Sequence, residues 1–113
     1  GVEGEYDLEH PGIWTHESPR RKVASVGMRV SRGITTHGAA INLVNDMMPF
    51  SWIVTCGMQN APMVNMASLA DVDFEAFQND FLERFAAFLD VEWEARELEL
   101  PAESEWVQKD VLS

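Results

Sequence analysis

The chain has one cysteine, two lysines and no run of 18 apolar residues among its 113 residues, and each scarcity closes off a class of function. A single thiol can neither form an internal disulfide nor build a cysteine-based metal site. His10, His16 and His37 are the three histidines, and they show no ligand spacing, so neither a metal nor another cofactor is expected. With no long apolar run and no charged-then-apolar leader, neither a membrane span nor a secretory signal is read, and a soluble, cytoplasmic protein is expected.

Basic residues are scarce as well. Eight stand against nineteen acids, for a net charge of -11, which argues against nucleic acid as a partner because a polyanion is bound through basic side chains. Acid is missing in turn from positions 18–45, where five of the eight basic residues fall: Arg20, Arg21, Lys22, Arg29 and Arg32. This asymmetry predicts a basic face on an acidic body, suited to steering an anionic partner.

What is present is 46% apolar residues, enough for the core of one small domain. Residues 1–12 are acidic, lack apolar period and end in His10-Pro11-Gly12, so a linker is expected there. A short strand is predicted over 13–15. Alternation over 22–30 and 34–44, separated by Ser31-Arg32-Gly33, predicts a hairpin. Asp46 is placed to cap a single helical turn, and 51–55 reads as a short strand delivering Cys56.

Phe74, Phe77, Phe81, Phe85 and Phe88 recur at helical spacing. With Asp71 or Asp73 as cap they predict an amphipathic helix over 74–89, its phenylalanine stripe in the core. The pattern gives an α+β fold, a mixed or antiparallel sheet followed by a C-terminal amphipathic helix. The main body is expected over 13–92 and an acidic tail over 93–113.

Chemistry is suggested by two scarce residues. Cys56 ends an apolar stretch and precedes Gly57, where a bulky acyl group could approach the sulfur. Lys22 opens the strand pattern of 22–30. Ordinarily a lone cysteine is a small buried hydrophobe, and a lysine at a strand head a solvated cap. Together, a thiol and an amine are the ingredients of thioester chemistry: a thiol of ordinary pKa, about 8.5, is mostly protonated near neutrality, and a neighbouring ammonium favours the nucleophilic thiolate.

Four ordered pieces carry a resemblance. They are Pro11-Gly12-Ile13-Trp14, then Lys22-Val23-Ala24-Ser25-Val26-Gly27, then His37-Gly38-Ala39-Ala40-Ile41-Asn42, and finally Pro49-Phe50 leading to Cys56-Gly57. Over roughly residues 11–90 this order resembles the C-terminal half of the lipoyl(octanoyl) transferase family of lipoate biosynthesis. The resemblance implies a fold like half of the class II aminoacyl-tRNA synthetase/biotin–lipoate transferase domain.

It also implies a catalytic dyad of Lys22 and Cys56, with Gly27, His37, Gly38, Asn42 and Gly57 lining the substrate. The implied reaction transfers an octanoyl group from octanoyl-acyl carrier protein, through an acyl-thioester on the cysteine, to a lysine of a lipoyl domain. The acceptors would be lipoyl domains of 2-oxoacid dehydrogenase complexes or the glycine cleavage H protein. Backbone N–H groups around Gly27, Gly38 or Gly57 are candidates to hold the oxyanion. His37 is equally readable as a core or turn histidine.

The family's Arg-Gly-Gly and Tyr-His-Gly-Pro-Gly-Gln-like segments do not occur here. Thr55 stands where the family commonly has proline, and Val64-Asn65-Met66 replaces a stretch usually rich in threonine and serine. A fragment or separately encoded half is therefore expected, active with a complementary N-terminal half. The alternatives are a noncatalytic interaction module retaining the dyad and a thioester hydrolase.

Overall fold

The computed structural model describes residues 1–54, 62–97 and 99. Among the described residues, six strands are followed by one α-helix: β1 (Gly4–Asp7), β2 (Gly12–Thr15), β3 (Lys22–Val26), β4 (Arg29–Ser31), β5 (Ile34–Thr36), β6 (Ala39–Ile41) and α1 (Phe74–Leu89). Two 3-10 turns, Met48–Trp52 and Met66–Ser68, lie between β6 and α1. The α+β class and the antiparallel sheet agree with the sequence. Residues Gly1–Gln78 form one compact unit, and a second begins at Asn79, inside α1.

The main sheet has the order β1-β2-β3-β6, with every neighbour antiparallel. β1 corrects the expectation of a linker. Its residues carry no apolar period to read, yet all four pair with β2, from Gly4 opposite Thr15 to Asp7 opposite Gly12. Arg20 ties this edge down by donating to Glu5 and Asp7 at 2.6 and 2.7 Å.

Between β2 and β3 the register slips by one. Ile13 faces Ala24, but Trp14 faces Lys22, leaving Val23 as the extra residue of a bulge. The connecting loop is closed by Thr15, whose N–H donates to the Arg21 carbonyl (2.9 Å) and whose hydroxyl accepts from the Arg21 N–H (3.0 Å).

The predicted hairpin exists, in two parts. Its register runs without a slip from Ala24 opposite Ile41 to Ser31 opposite Ile34, and Arg32 and Gly33, both with positive φ, make the two-residue turn. Midway, the Gly27 N–H donates to the Gly38 carbonyl (2.8 Å), and His37 and Gly38 take φ of 65° and 146°. There the ladder breaks, so β4 and β5 form a separate two-stranded ribbon.

The apolar core of the sheet unit is Trp14, Val23, Ala24 and Val64. Residues 62–64 join it beside the head of β3, where Met63 makes a parallel bridge to Lys22. The strand expected over 51–55 is not formed over 51–54. A 3-10 turn over Met48–Trp52, with Pro49 in its first turn, forms instead; the Phe50 N–H donates to the Met47 carbonyl, and the Ser51 hydroxyl donates to the Met48 carbonyl. Asp46 is not the cap expected of it: Met47 holds the N-cap position with no side-chain cap bond, and the Asp46 carboxylate accepts from the Met48 N–H (2.9 Å) from one position further back. Thr55 lies outside the described residues.

α1 spans the residues its periodicity marks. The Asp73 carboxylate accepts from the Ala76 N–H (3.0 Å) and caps the start. At the other end Asp90 takes a left-handed φ of 54°, its N–H donates to the Ala87 carbonyl, and the Val91 N–H donates to the Ala86 carbonyl, the two bonds of a Schellman stop. The stripe itself departs from expectation. Phe74, Phe81, Phe85 and Phe88 are exposed, Phe81 and Phe85 stack on each other at 5.7 Å, and Ala86 is the buried residue of the helix.

Candidate active site

The head of β3 is where the sequence and the structure converge. Lys22 is 1% exposed, the most deeply buried large side chain among the described residues. Its backbone is clamped on one side by residues 62–64: its N–H donates to the Pro62 carbonyl (2.7 Å) and its carbonyl accepts from the Val64 N–H (3.0 Å). On the other side stands β2, with Trp14 as the cross-strand partner. The Lys22 Nζ lies 5.6 Å from the centroid of the Trp14 ring, within cation–π range. No buried side-chain nitrogen or oxygen among the described residues lacks a partner.

Lys22 opens onto a cleft of about 230 Å³. Ser25, Val26 and Gly27 form one wall, and Glu9, His10 and Pro11, from the turn between β1 and β2, form the other. That turn is held by Asp7, whose carboxylate accepts from the N–H groups of Glu9 and His10 at 2.8 and 3.1 Å. These bonds, the His10 N–H first and the Arg20 guanidinium next, lower the Asp7 carboxyl from 3.8 to about 2. In return Glu5 and then Asp7 raise the Arg20 guanidinium above its ordinary value.

The other expected site residues distribute as follows. Gly27 shares the cleft with Lys22, but its N–H already donates to Gly38, so that donor is not open to an oxyanion. His37 is exposed at the corner where the hairpin divides, beside Gly38. Asn42 is buried; its N–H donates to the Val23 carbonyl (3.0 Å), its carbonyl accepts from the Met66 N–H (2.8 Å), and its side-chain oxygen accepts from Asn45 (3.1 Å). It thus ties the end of β6 both to β3 and to the chain that follows residue 62. Cys56 and Gly57 lie outside the described residues.

The basic face is smaller than the charge pattern predicts. Lys22 is buried, Arg20 is paired with Glu5 and Asp7, and Arg21 donates to Glu17 (2.9 Å), leaving Arg29 and Arg32 exposed on the β4–β5 ribbon. Sequence reasoning also passed over Trp14 and the cleft wall of Glu9, His10 and Pro11. The signal for them is the His10-Pro11-Gly12 turn together with the Pro11-Gly12-Ile13-Trp14 motif that overlaps it. Among the described residues, no group of histidine, cysteine and carboxylate side chains is arranged to hold a metal ion. No helix there is long and apolar enough to cross a membrane.

An antiparallel sheet followed by one helix is compatible with one class of catalytic domain. A family model described as the lipoyl protein ligase A/B catalytic domain matches residues 1–86, and the chain belongs to this family. Among curated proteins it is similar to octanoyltransferases. That of Dictyoglomus turgidum is 32% identical over 80 residues, which is 71% of this chain and 32% of that protein. That of Magnetococcus marinus is 35% identical over 97 residues, 84% of this chain and 44% of that protein. For Thermosynechococcus vestitus the figures are 33% over 99 residues, 87% and 42%. The chain thus spans less than half the length of each of these relatives.

Proposed function

We propose that the chain carries the amine and the thiol of an octanoyl transfer reaction, with Lys22 and Cys56 as the reacting pair. The single observation that supports this most is the clamp on Lys22: the strand-head lysine is bonded, N–H and carbonyl both, to residues 62–64. Cys56 is six positions before Pro62, so chain length alone keeps its Cα within roughly 20 Å of Pro62 at full extension. A cleft flanked by Gly27 lies beside the amine.

The chemistry then runs in two steps. The Cys56 thiolate, favoured by the Lys22 ammonium, attacks the carbonyl carbon of an octanoyl thioester on acyl carrier protein. The new C–S bond forms, the bond to the carrier thiol breaks, and the departing thiolate takes a proton from Lys22. In the second step a lipoyl-domain lysine attacks the acyl-cysteine. Its nitrogen forms the amide, its proton passes to the Lys22 amine, and the Cys56 thiolate leaves, restoring the starting pair. Exposed Arg29 and Arg32 supply positive charge for an anionic carrier. A cytoplasmic location fits these substrates.

Completion by further residues of the same fold is part of the reading. Val30, Ile34 and Trp52 are 66%, 67% and 74% exposed, apolar surface of the sort that a complementary segment covers.

The test is intact-mass detection of an octanoyl adduct on Cys56 after incubation with octanoyl-acyl carrier protein, with and without an N-terminal half. Adduct that passes to a lipoyl domain is the expected result, and Lys22→Ala should slow its formation on the order of a hundredfold at neutral pH. Adduct lost to water without an acceptor marks a hydrolase. Absence of adduct under both conditions marks a noncatalytic module and overturns the proposal.

A further inference from the structure

The motif Pro11-Gly12-Ile13-Trp14 finds a use in how the buried lysine crosses β2. A Cβ built on Gly12 would fall well inside 3.0 Å of two atoms, the Lys22 Cε and the Ala24 carbonyl oxygen. Real Cβ atoms do not approach so closely, so the lysine stem lies in a trough that exists because residue 12 has no side chain. Two positions along the same strand, the Trp14 ring stands 5.6 Å from the Nζ. The ring is itself fixed: its Nε1–H donates to the His10 carbonyl at 3.0 Å, and it is 6% exposed. The trough gives the stem its path, and the ring stands beside the charge.

On the reading that Lys22 is the amine of the acyl-transfer pair, we infer that Gly12 and Trp14 are its positioning residues, holding the ammonium at the mouth of the cleft between His10 and Gly27. Neither residue forms a bond to the acyl group or carries a proton; each acts through Lys22. A second cation stands over the same ring, the Arg20 guanidinium at 5.4 Å, which also donates to Glu5 and Asp7.

The chain's two lysines make a test independent of turnover. Trace acetylation by an N-hydroxysuccinimidyl ester, followed by glutamyl-endopeptidase digestion and mass spectrometry, gives the labelling of Lys22 relative to Lys109. Amide protection of β2 and β3 is recorded in parallel. Trp14→Leu should raise the Lys22 ratio on the order of tenfold, and Trp14→Tyr, which keeps an aromatic face, should stay within about threefold of the parent. Gly12→Ala should match or exceed the leucine variant on the order of tenfold, because its Cβ displaces the stem outright.

Where Gly12→Ala loses strand protection, the two Trp14 variants decide. The inference is overturned by a Lys22 ratio unchanged in Trp14→Leu, or by Trp14→Tyr behaving as Trp14→Leu does, which would reduce the ring to packing. Octanoyl-adduct rates separate the two levels of the reading. If Lys22→Ala forms adduct as fast as the parent, the Lys22–Cys56 reading falls while the labelling still reports how the amine is held. If Lys22→Ala is inactive and Trp14→Leu fully active, the positioning role falls and the pair stands.

Discussion

At the scale of single residues, Asp7 shows how a surface carboxylate reaches the site without entering it. It organises the turn whose His10 carbonyl anchors Trp14, and Trp14 faces Lys22. Because three donors hold its carboxyl at about 2, below the ordinary 3.8, the linkage has a definite sign. The stabilisation is complete above the unfolded value and drains away as pH falls through the folded one, so the window is about pH 4 to 2. A carboxyl NMR titration should place the Asp7 midpoint near 2. Asp7→Asn should flatten the loss of β1–β2 amide protection across that window. A midpoint at the ordinary carboxylate value would show the turn to be open in solution.

At the scale of elements, what could be read in advance follows from where the information resides. The span and start of α1 are legible because a 3.6-residue period and an acidic cap are both local, and its Asp73 cap should be worth about 1 kcal/mol, measured by thermal unfolding of Asp73→Ala. Its stop was not readable as a motif, since Asp90 occupies a left-handed position that usually carries glycine. Asp90→Gly removes that cost, and also an acid at the negative end of the helix, so it should stabilise by about 1 kcal/mol.

β1 was hidden for a different reason. An edge strand of Gly-Glu-Tyr-Asp buries little, and it owes its place to backbone pairing and to Arg20, fifteen and thirteen positions from its two acids. The strand foreseen near 51–54 failed because turn hydrogen bonds from Phe50 and Ser51 satisfy the backbone locally before any partner strand does. For the site, the sequence marked Lys22 and Gly27 through motif order. The burial of the lysine, its clamp by residues 62–64 and the roles of Gly12 and Trp14 depend on contacts between strands, which no local pattern carries.

At the scale of the whole molecule, the described elements form a gradient of order. β2 and β3 hold Trp14, Thr15, Lys22, Val23 and Ala24, all buried, whereas the β4–β5 ribbon has three-residue strands with every residue exposed. An isolated two-stranded ribbon is marginal in water. Hydrogen exchange should therefore find ribbon amides exchanging on the order of a hundredfold faster than those of β3, with the boundary at Gly27 and Gly38. Equal protection in both would mean that the ribbon is covered in solution by something other than the described residues.

The unpaired Val23 carries one more implication. Strand faces alternate with a period of two, so the extra residue is what lets Lys22, rather than its neighbour, meet Trp14. A variant lacking only that valine would still set Lys22 opposite Trp14, now in an unbroken ladder, and would still look like kin to any sequence search. It would lose the local bend and added twist that the bulge gives the strand, and with them the angle at which the amine is delivered. In this protein the identity of the reactive groups and the bend of the strand that presents them are separate inheritances.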